Sequence, residues 1–409
     1  MSKKPVNQLS NRRDFIKITS LGAVALGLQQ SGCTGGGKPS EPVIPGFETT
    51  PAERDPSEGW VPFSDRKLRV GLVGYGVCKF AADFGFQNHP NVEVVAVSDL
   101  FPDRCAELAK VTNCKKTYPS LEEMVKDDKI EAIFCATDAP SHARHAIEVL
   151  KHGKHVASAV PAVFGSVEEA DMLMEAVKMS GMKYMMFETS CFRANLYAMR
   201  QIYKAGGFGK LVYSEGEYYH GPKLTGVNTP IGSYNNWRVA MPSQWYPTHG
   251  NAYYIGVTDG TFTEVSCLGL LRKSDQPANN QYNNPFTVEI ALLRTGEGGI
   301  ARMGLTHTPG LISETGRVQG EKGYYNDKYV GYEKNLPDLN RPPIPPGVPA
   351  GGHGGSHGPL MNEFVTAIIQ DRKPLVDVEM ALNMTVPGII AHQSALKNGE
   401  MLKIPQYKF

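Results

Sequence analysis

The sequence predicts an α/β protein: an N-terminal, doubly wound parallel sheet followed by a C-terminal α/β domain built on an open, mainly antiparallel sheet. Three observations carry this. From Leu68 onward, apolar strand-like runs alternate with helical stretches, the pattern of parallel strands joined by crossover helices. The first strand runs directly into Gly74-Tyr75-Gly76, a turn of the dinucleotide-binding type. Past Glu188 the alternation stops and extended segments follow one another.

Residues 1–33 lie outside this scheme. Asn11-Arg12-Arg13-Asp14-Phe15-Ile16-Lys17 precedes the apolar run Ile18 to Leu28, which resembles a twin-arginine signal peptide and is too short to span a bilayer stably. Gln30-Ser31-Gly32-Cys33 resembles a lipoprotein cleavage site, so Cys33 would carry a lipid anchor to the membrane. Gln30 stands where such sites usually have a leucine, and free periplasmic release is the alternative. Residues 34–66 form a flexible linker, rich in Gly, Pro, Ser and Glu through Pro62 and without apolar periodicity. Residues 67–188 then make the nucleotide-binding domain and residues 189–409 the substrate-binding domain.

Within the first domain, Leu68 to Val73 is an apolar strand, and a helical stretch follows the turn through Phe86. Gly74 and Gly76 let the backbone turn tightly and approach a pyrophosphate, which the helix N-terminus stabilises. Lys79 occupies the third small position of the fingerprint. The next strand, Val92 to Val97, ends at Ser98-Asp99, where an acidic residue holds the ribose hydroxyls and repels a 2'-phosphate. That predicts NAD over NADP. Ser120-Leu121-Glu122-Glu123 is a capping box, Ile130 to Thr137 a buried strand, and Ser141 to Leu150 a helix closed near Gly153. The strand His155 to Val160, the capping box Ser166-Val167-Glu168-Glu169, a helix to Gly181 and the strand Lys183 to Glu188 complete a six-strand domain. Its ligand belongs at the C-terminal strand ends, near Gly74, Asp99, Thr137 and Ala159.

In the second domain a short helix ends at Gly206-Gly207. Extended segments follow at Leu211 to His220, Phe262 to Leu268, Phe286 to Arg294 and Gly299 to His307, the last two joined by Gly296-Glu297-Gly298. They read as a row of antiparallel strands with one face over the active site. Helices from about Pro359 to Asp371 and from Val378 to Lys397 pack back on the first domain, reached through the Pro- and Gly-rich loop Pro337 to Gly358.

Formal charge is +1, which gives no electrostatic case for nucleic acid. Beyond Cys33, the cysteines at 78, 105, 114, 135, 191 and 267 show no paired metal-binding spacing and read as small buried hydrophobes, so no metal is expected. The helical spacing of His142 and His145 carries no metal implication either.

The strand-turn, Asp99, Ala136-Thr137-Asp138-Ala139-Pro140-Ser141-His142 and the run Leu150 to Pro161 together resemble the Gfo/Idh/MocA family, over nearly the whole chain beyond the signal and linker. The resemblance implies a Rossmann domain, a C-terminal α/β domain, NAD, and hydride transfer on a sugar or cyclitol. It also implies a homo-oligomer formed through the open sheet. The expected cofactor-binding residues are Gly74, Tyr75, Gly76, Asp99, Thr137 and His142, the last by capping or ordering the loop over the cofactor.

The commonest dehydrogenases of that family carry Glu-Lys-Pro where this chain has Ala159-Val160-Pro161. The family lysine hydrogen-bonds the hydroxyl being oxidised, whereas Val160 cannot donate, accept or titrate. Another acid/base group is needed, and Trp245-Tyr246-Pro247-Thr248-His249-Gly250 offers His249 and Tyr246 as the expected catalytic pair. The same segment resembles the Tyr-Pro-Thr-His-Gly of glycoside hydrolase family 109, a twin-arginine-exported branch that retains NAD. That branch oxidises the substrate at C3, eliminates the aglycone, adds water and returns the hydride. Gly352-His353-Gly354-Gly355 is similar to its Gly-His-Gly-Gly run. Two positions depart: Ala159 replaces a glutamate, and Phe192 a tyrosine after Glu188-Thr189-Ser190-Cys191. Packing is the alternative role for Tyr246 and His249, and solvent exposure for His353 and His357. Tyr218, Tyr219 and His220 could line the sheet face, though alternation places only some of them inward.

Export orders the functional classes. No free pool outside the cytoplasm replaces spent NADH, so a cofactor there is useful only if each turnover restores it. The leading expectation is therefore an NAD-dependent oxidoreductase that acts on a sugar or glycoside with tightly held cofactor. A net redox-neutral glycosidase or lyase follows, and then a non-catalytic surface sugar-binding protein on a degenerate fold, favoured by the missing lysine and by Lys79.

Overall fold

The computed structural model describes residues 55–76, 78–220, 236–272, 281–306 and 313–409. The signal peptide, Cys33 and most of the linker, as well as His307, lie outside the described residues.

The first sheet comprises β1 (Leu68–Val73), β2 (Val92–Ser98), β3 (Thr117–Tyr118), β4 (Ala132–Cys135), β5 (His155–Ser158) and β6 (Tyr184–Met186), parallel throughout and ordered β3-β2-β1-β4-β5-β6. Strand order reverses between β1 and β4, so a crevice opens beyond their C-terminal ends. Every residue of β4 is buried, as expected of a central parallel strand covered on both faces. The connecting helices are α1 (Phe80–Asp83), α2 (Pro102–Val111), α3 (Leu121–Met124), α4 (His142–Lys151) and α5 (Val167–Ser180). Both capping serines perform as expected: the Oγ atoms of Ser120 and Ser166 accept from the amides of Glu123 and Glu169 at 3.3 and 3.1 Å. Left-handed Gly181 ends α5.

Two expectations change. The helix after the glycine turn does not run to Phe86. It spans only Phe80–Asp83, because Lys79 is left-handed at its N-cap and left-handed Gly85 ends it. Phe84 and Phe86 then turn into an aromatic cluster with Phe134 and Phe187. The sixth strand, β3, is a two-residue edge strand with no apolar run to announce it.

The second sheet comprises β7 (Leu211–Tyr219), β8 (Phe262–Leu271), β9 (Phe286–Thr295), β10 (Ile300–Thr306), β11 (Ser313–Gly320), β12 (Gly323–Asn326), β13 (Lys328–Gly331) and β14 (Leu402–Lys403), ordered β13-β12-β11-β7-β10-β9-β8-β14. It is not a simple antiparallel row, because β10 returns parallel to β7. Helices α6 (Ala194–Lys204) and α7 (Thr248–Thr258) lead into the sheet; α7 covers it and α6 packs on α7. The contact is close because glycines meet: a Cβ on Gly216 of β7 would collide with the Gly250 carbonyl of α7.

The closing helices, α8 (His357–Ile369) and α9 (Val378–Leu396), pack against the elements of the first sheet: Phe364 of α8 meets Phe86 and Phe187, and α9 lies against α5 and β6. The amide of Met186 in β6 donates to Val376 O at 2.9 Å, and Ala162 N to Thr385 Oγ1 at 3.4 Å. Asp377 caps α9 through Met380 N at 3.1 Å.

Candidate active site

The site begins at the glycine turn. Gly74 has φ 94° and a Cβ there would collide with the Ala136 carbonyl, so only glycine lets β1 pass this close to the end of β4. Gly76 differs: a Cβ built on it meets nothing within 4 Å, so the backbone faces open space that a pyrophosphate can occupy. Asp99 is buried, and its carboxylate accepts from Tyr75 N at 2.6 Å and from Phe101 N at 2.8 Å. It therefore braces the turn. Each oxygen keeps a further lone pair for a ribose hydroxyl.

Thr137 Oγ1 bonds His145 Nδ1 at 2.9 Å. His142 is buried, with Nδ1 2.8 Å from Pro161 O and Nε2 3.2 Å from Thr137 O. It ties the loop after β4 to the Val160-Pro161 segment. Burial lowers its pKa against the pull of both carbonyls, so it acts as a neutral tether. Gly74, Gly76, Asp99, Thr137, His142 and Ala159 line a single cleft, and Tyr75 contributes its backbone amide to the same wall. These residues fit NAD. Lys79 also lines the cleft, its Nζ 3.2 Å from Glu107 of α2.

A second pocket adjoins the cleft and shares Cys78, Phe80, Ala159, Val160, Arg238 and Tyr246 with it. His249, in the first turn of α7, lines it and is itself buried. Its Nδ1 lies 2.8 Å from Glu188 Oε1 and 3.7 Å from Glu314 Oε1. Glu188, fully buried just beyond β6, also accepts from Ser190 N at 2.9 Å. Glu314, on β11, accepts from Ser190 Oγ at 2.7 Å and pairs with Arg193 Nη2 at 2.6 Å. Burial disfavours the imidazolium, but the two carboxylates outweigh it and raise the His249 pKa above its ordinary value. Burial likewise opposes ionisation of Glu314, yet Arg193 and the neighbouring histidines hold its carboxyl down at about 2.

Aromatic rings hold the imidazole in place. Tyr218 stacks on His249 with centroids 4.4 Å apart, and His353 lies parallel to it at 6.3 Å. His353 Nδ1 is 2.8 Å from His357 Nε2, and burial drives the His353 pKa down to about 3. Both histidines are buried rather than exposed. Tyr246 is buried beside Arg238, whose guanidinium stands 5.3 Å from its ring and 4.2 Å from that of Trp237. Burial raises the Tyr246 pKa and Arg238 opposes the shift. Tyr218 and His220 line the pocket while Tyr219 does not, as strand alternation requires.

The structure thus brings His249 and Tyr246 to one pocket beside the cofactor cleft. Glu314, Arg193 and Arg238 were not visible from the sequence, since each reaches the site from a distant segment with no motif around it. No cluster of metal-ligating side chains occurs among the described residues. The pocket is narrow, with a cavity of about 30 Å³. That is room for a water.

The profile described as "Oxidoreductase family, NAD-binding Rossmann fold" matches residues 68–188. Over longer stretches the chain is similar to a glycosyl hydrolase family 109 protein of Solibacter usitatus, 23% identical over an alignment 450 positions long, gaps included, that covers 97% of each chain. It is also similar to an alpha-N-acetylgalactosaminidase of Shewanella oneidensis, 24% identical over 392 residues, 83% of this chain and 85% of that one. Among solved structures, the WlbA dehydrogenase from Bordetella pertussis in complex with NADH and UDP-GlcNAcA superposes with a TM-score of 0.66 at 18% identity, covering 85% of this chain and 100% of that one. With their braced glycine turn and the crevice where strand order reverses, residues 68–188 match the NAD-binding Rossmann fold of the Gfo/Idh/MocA oxidoreductase family.

Proposed function

We propose that the protein is an NAD-dependent oxidoreductase of a sugar or glycoside, in which His249 handles the hydroxyl proton. The observation that carries this is a buried histidine, held through Nδ1 by Glu188, lining a pocket that shares a wall with the cofactor cleft. NAD, when bound, supplies an acceptor for hydride from a sugar carbon and can return it. The chain's own residues do the rest. With Nδ1 engaged by Glu188, Nε2 of His249 is the nitrogen available to a substrate hydroxyl. Glu188 and Glu314 stabilise the imidazolium once it has taken the proton. Arg238 and Tyr246 present N–H and O–H donors to the substrate oxygens, the function that Val160 cannot perform. Val160, Phe80, Phe84 and Phe187 form an apolar wall that excludes water.

A second reading, a net glycosidase that oxidises its substrate transiently, is supported by the similarity to a glycosyl hydrolase family 109 protein over 97% of each chain and to an alpha-N-acetylgalactosaminidase over 83% of this chain. The absence of a carboxylate at Ala159 and a phenol at Phe192 weighs against assigning their specificity. One experiment separates the readings. NAD-loaded protein is offered p-nitrophenyl glycosides and free sugars while absorbance at 340 nm and released nitrophenol are followed. NADH formation with a free sugar supports oxidoreduction, and nitrophenol release without net NADH supports the glycosidase. If neither appears and His249→Gln still binds sugar like the wild type, the protein is a binding module.

Export by the twin-arginine route with NAD already loaded, and anchoring through Cys33, complete the proposal; the paired arginines and Cys33 itself support it. A homo-oligomer is supported by outward-facing Leu268, Leu270, Leu292 and Ile300 on the second sheet, each about half exposed or more. Light scattering of the purified protein tests that part.

A further inference from the structure

Behind the segment that carries Glu188 lies a separate cavity of about 320 Å³, within the range of small-molecule sites. It is bounded by α6, α8 and the stretches 341–344 and 372–375, and it shares no lining residue with the cleft or the pocket described above.

Four cations face this cavity against one carboxylate, Glu363. Two of the cations are neutralised. Arg372 grips Glu363 through both terminal nitrogens at 2.6 and 2.7 Å, and Lys373 pairs with Asp377 at 2.9 Å and Glu379 at 3.3 Å. The other two, Arg200 and Arg341, have no carboxylate within ion-pair distance among the described residues. Arg200, 6% exposed, donates only to carbonyls: Nε to Gly256 O at 2.7 Å and Nη2 to Cys191 O at 2.5 Å. Arg341 does likewise, its Nη1 donating to Phe192 O at 2.9 Å and Gly355 O at 2.6 Å.

Each guanidinium therefore keeps donors in reserve. Arg200 Nη1 and Arg341 Nε and Nη2 have no acceptor among the described residues, yet none is among the buried polar atoms left without a partner, so they reach open space. Burial lowers the pKa of both, with no charge opposing it at Arg341. Because a guanidinium does not give up its proton in a protein, each remains a partly desolvated cation that an anion would stabilise. Asn362 adds a donor, since its Oδ1 is taken by His89 at 3.1 Å and its amide nitrogen is left. Pro342, Pro343, Pro359 and Leu375 supply an apolar wall.

We infer that this cavity binds the carboxylate or phosphoryl group of a compact small molecule between Arg200 and Arg341. The test is calorimetric titration of inorganic phosphate, and separately of glucuronate, into protein saturated with NAD so that the pyrophosphate position is filled. One site per chain is expected. Binding weakens at least ten-fold in Arg341→Gln, which removes a cation, and in Arg372→Gln, which leaves Glu363 unneutralised beside the ligand. The second change is at the surface, and it decides the matter if the first variant loses its cooperative thermal transition. Tighter phosphate binding assigns a phosphoryl ligand, and tighter glucuronate binding a carboxylate. Absence of heat with both probes at millimolar concentration, or wild-type affinity in a variant that still folds, overturns the assignment.

Discussion

Replacing Glu188 by glutamine tests the centre of the site with almost no change of shape. The carboxylate lies 2.8 Å from His249 Nδ1 in a fully buried position. At an effective dielectric of about 20, a charge pair at that distance is worth up to ~6 kcal/mol. Two things reduce this. The glutamine carbonyl still accepts the hydrogen bond, and Glu314 remains 3.7 Å away. A fall of the His249 pKa from its raised position is therefore expected, with part of the elevation retained through Glu314. The assay is a ¹³C-histidine NMR titration of the NAD-bound protein, with the His249 resonance identified by its loss in His249→Gln. It needs no substrate. A wild-type midpoint at or below 6.5, or a midpoint unmoved in Glu188→Gln, would refute the stabilisation of the His249 imidazolium by Glu188. The linkage sign agrees: a raised histidine pKa adds stability that is present below pH 6.5 and lost as pH rises through the folded pKa, and the variant should lose part of that increment. Once a substrate is known, the ascending limb of the rate profile should move to lower pH together with the resonance, and the plateau rate should fall about ten-fold to a thousand-fold.

The glycine turn separates folding from binding: Gly74→Ala should destabilise the protein by several kcal/mol or prevent folding, because its Cβ strikes the Ala136 carbonyl at positive φ. Gly76→Ala, with open space around it, should melt within a few degrees of the wild type yet retain no NAD, as calorimetry and mass analysis of released nucleotide will show. Asp99 predicts at least a hundred-fold preference for NAD over NADP in direct titration, and Asp99→Asn should reduce that preference while loosening the turn at Tyr75 N. Buried His353 and His357, with pKa values depressed by burial to about 3 and about 4, bind fewer protons folded than unfolded below pH 6.5. Stability should thus decline from pH 6.5 toward 4, by on the order of 3 kcal/mol for one such histidine, and His357→Gln should flatten the decline in thermal scans. Asp83, raised to about 6 by burial, works in the opposite sense between pH 6 and 4 and softens the slope.

What the sequence revealed follows the reach of its local signals. The order of the first sheet was legible because buried parallel strands such as Ala132–Cys135 are apolar throughout and their helices carry serine caps. The helix after Gly76 was overestimated because Phe80, Phe84 and Phe86 look like a helical face, whereas Phe84 and Phe86 are aromatic packing around Phe134 and Phe187, and two left-handed residues confine the helix between them. β11 was missed because Ser313-Glu314-Thr315-Gly316-Arg317 has no apolar alternation; it holds its place by pairing with β7. Missing that strand also hid Glu314. His249 and Tyr246 were legible since they share one short motif, but the carboxylates that set the charge of His249 come from β11 and from just beyond β6, a coincidence that only the tertiary fold creates.

The replaced positions and the new ones fit a single pattern. In this pocket the nucleotide-binding domain offers mainly an apolar wall, with Ala159 and Val160 where charged groups act in the commoner dehydrogenases of the family, and Phe80, Phe84 and Phe187 around them. Apart from Cys78 and Thr189, the polar lining comes from the other side: Tyr218, His220, Arg238, Tyr246, His249 and His353. Glu188 and Glu314 then charge that side from behind. A lysine at position 160 would add a second cation beside Arg238 and oppose protonation of His249, so Val160 and the buried carboxylate pair are mutually consistent choices rather than separate losses. In the proposed function, proton handling falls to His249 in the first turn of the facing helix α7. Its geometry therefore depends on how closely α7 seats against β7, which the glycine contact between Gly216 and Gly250 controls.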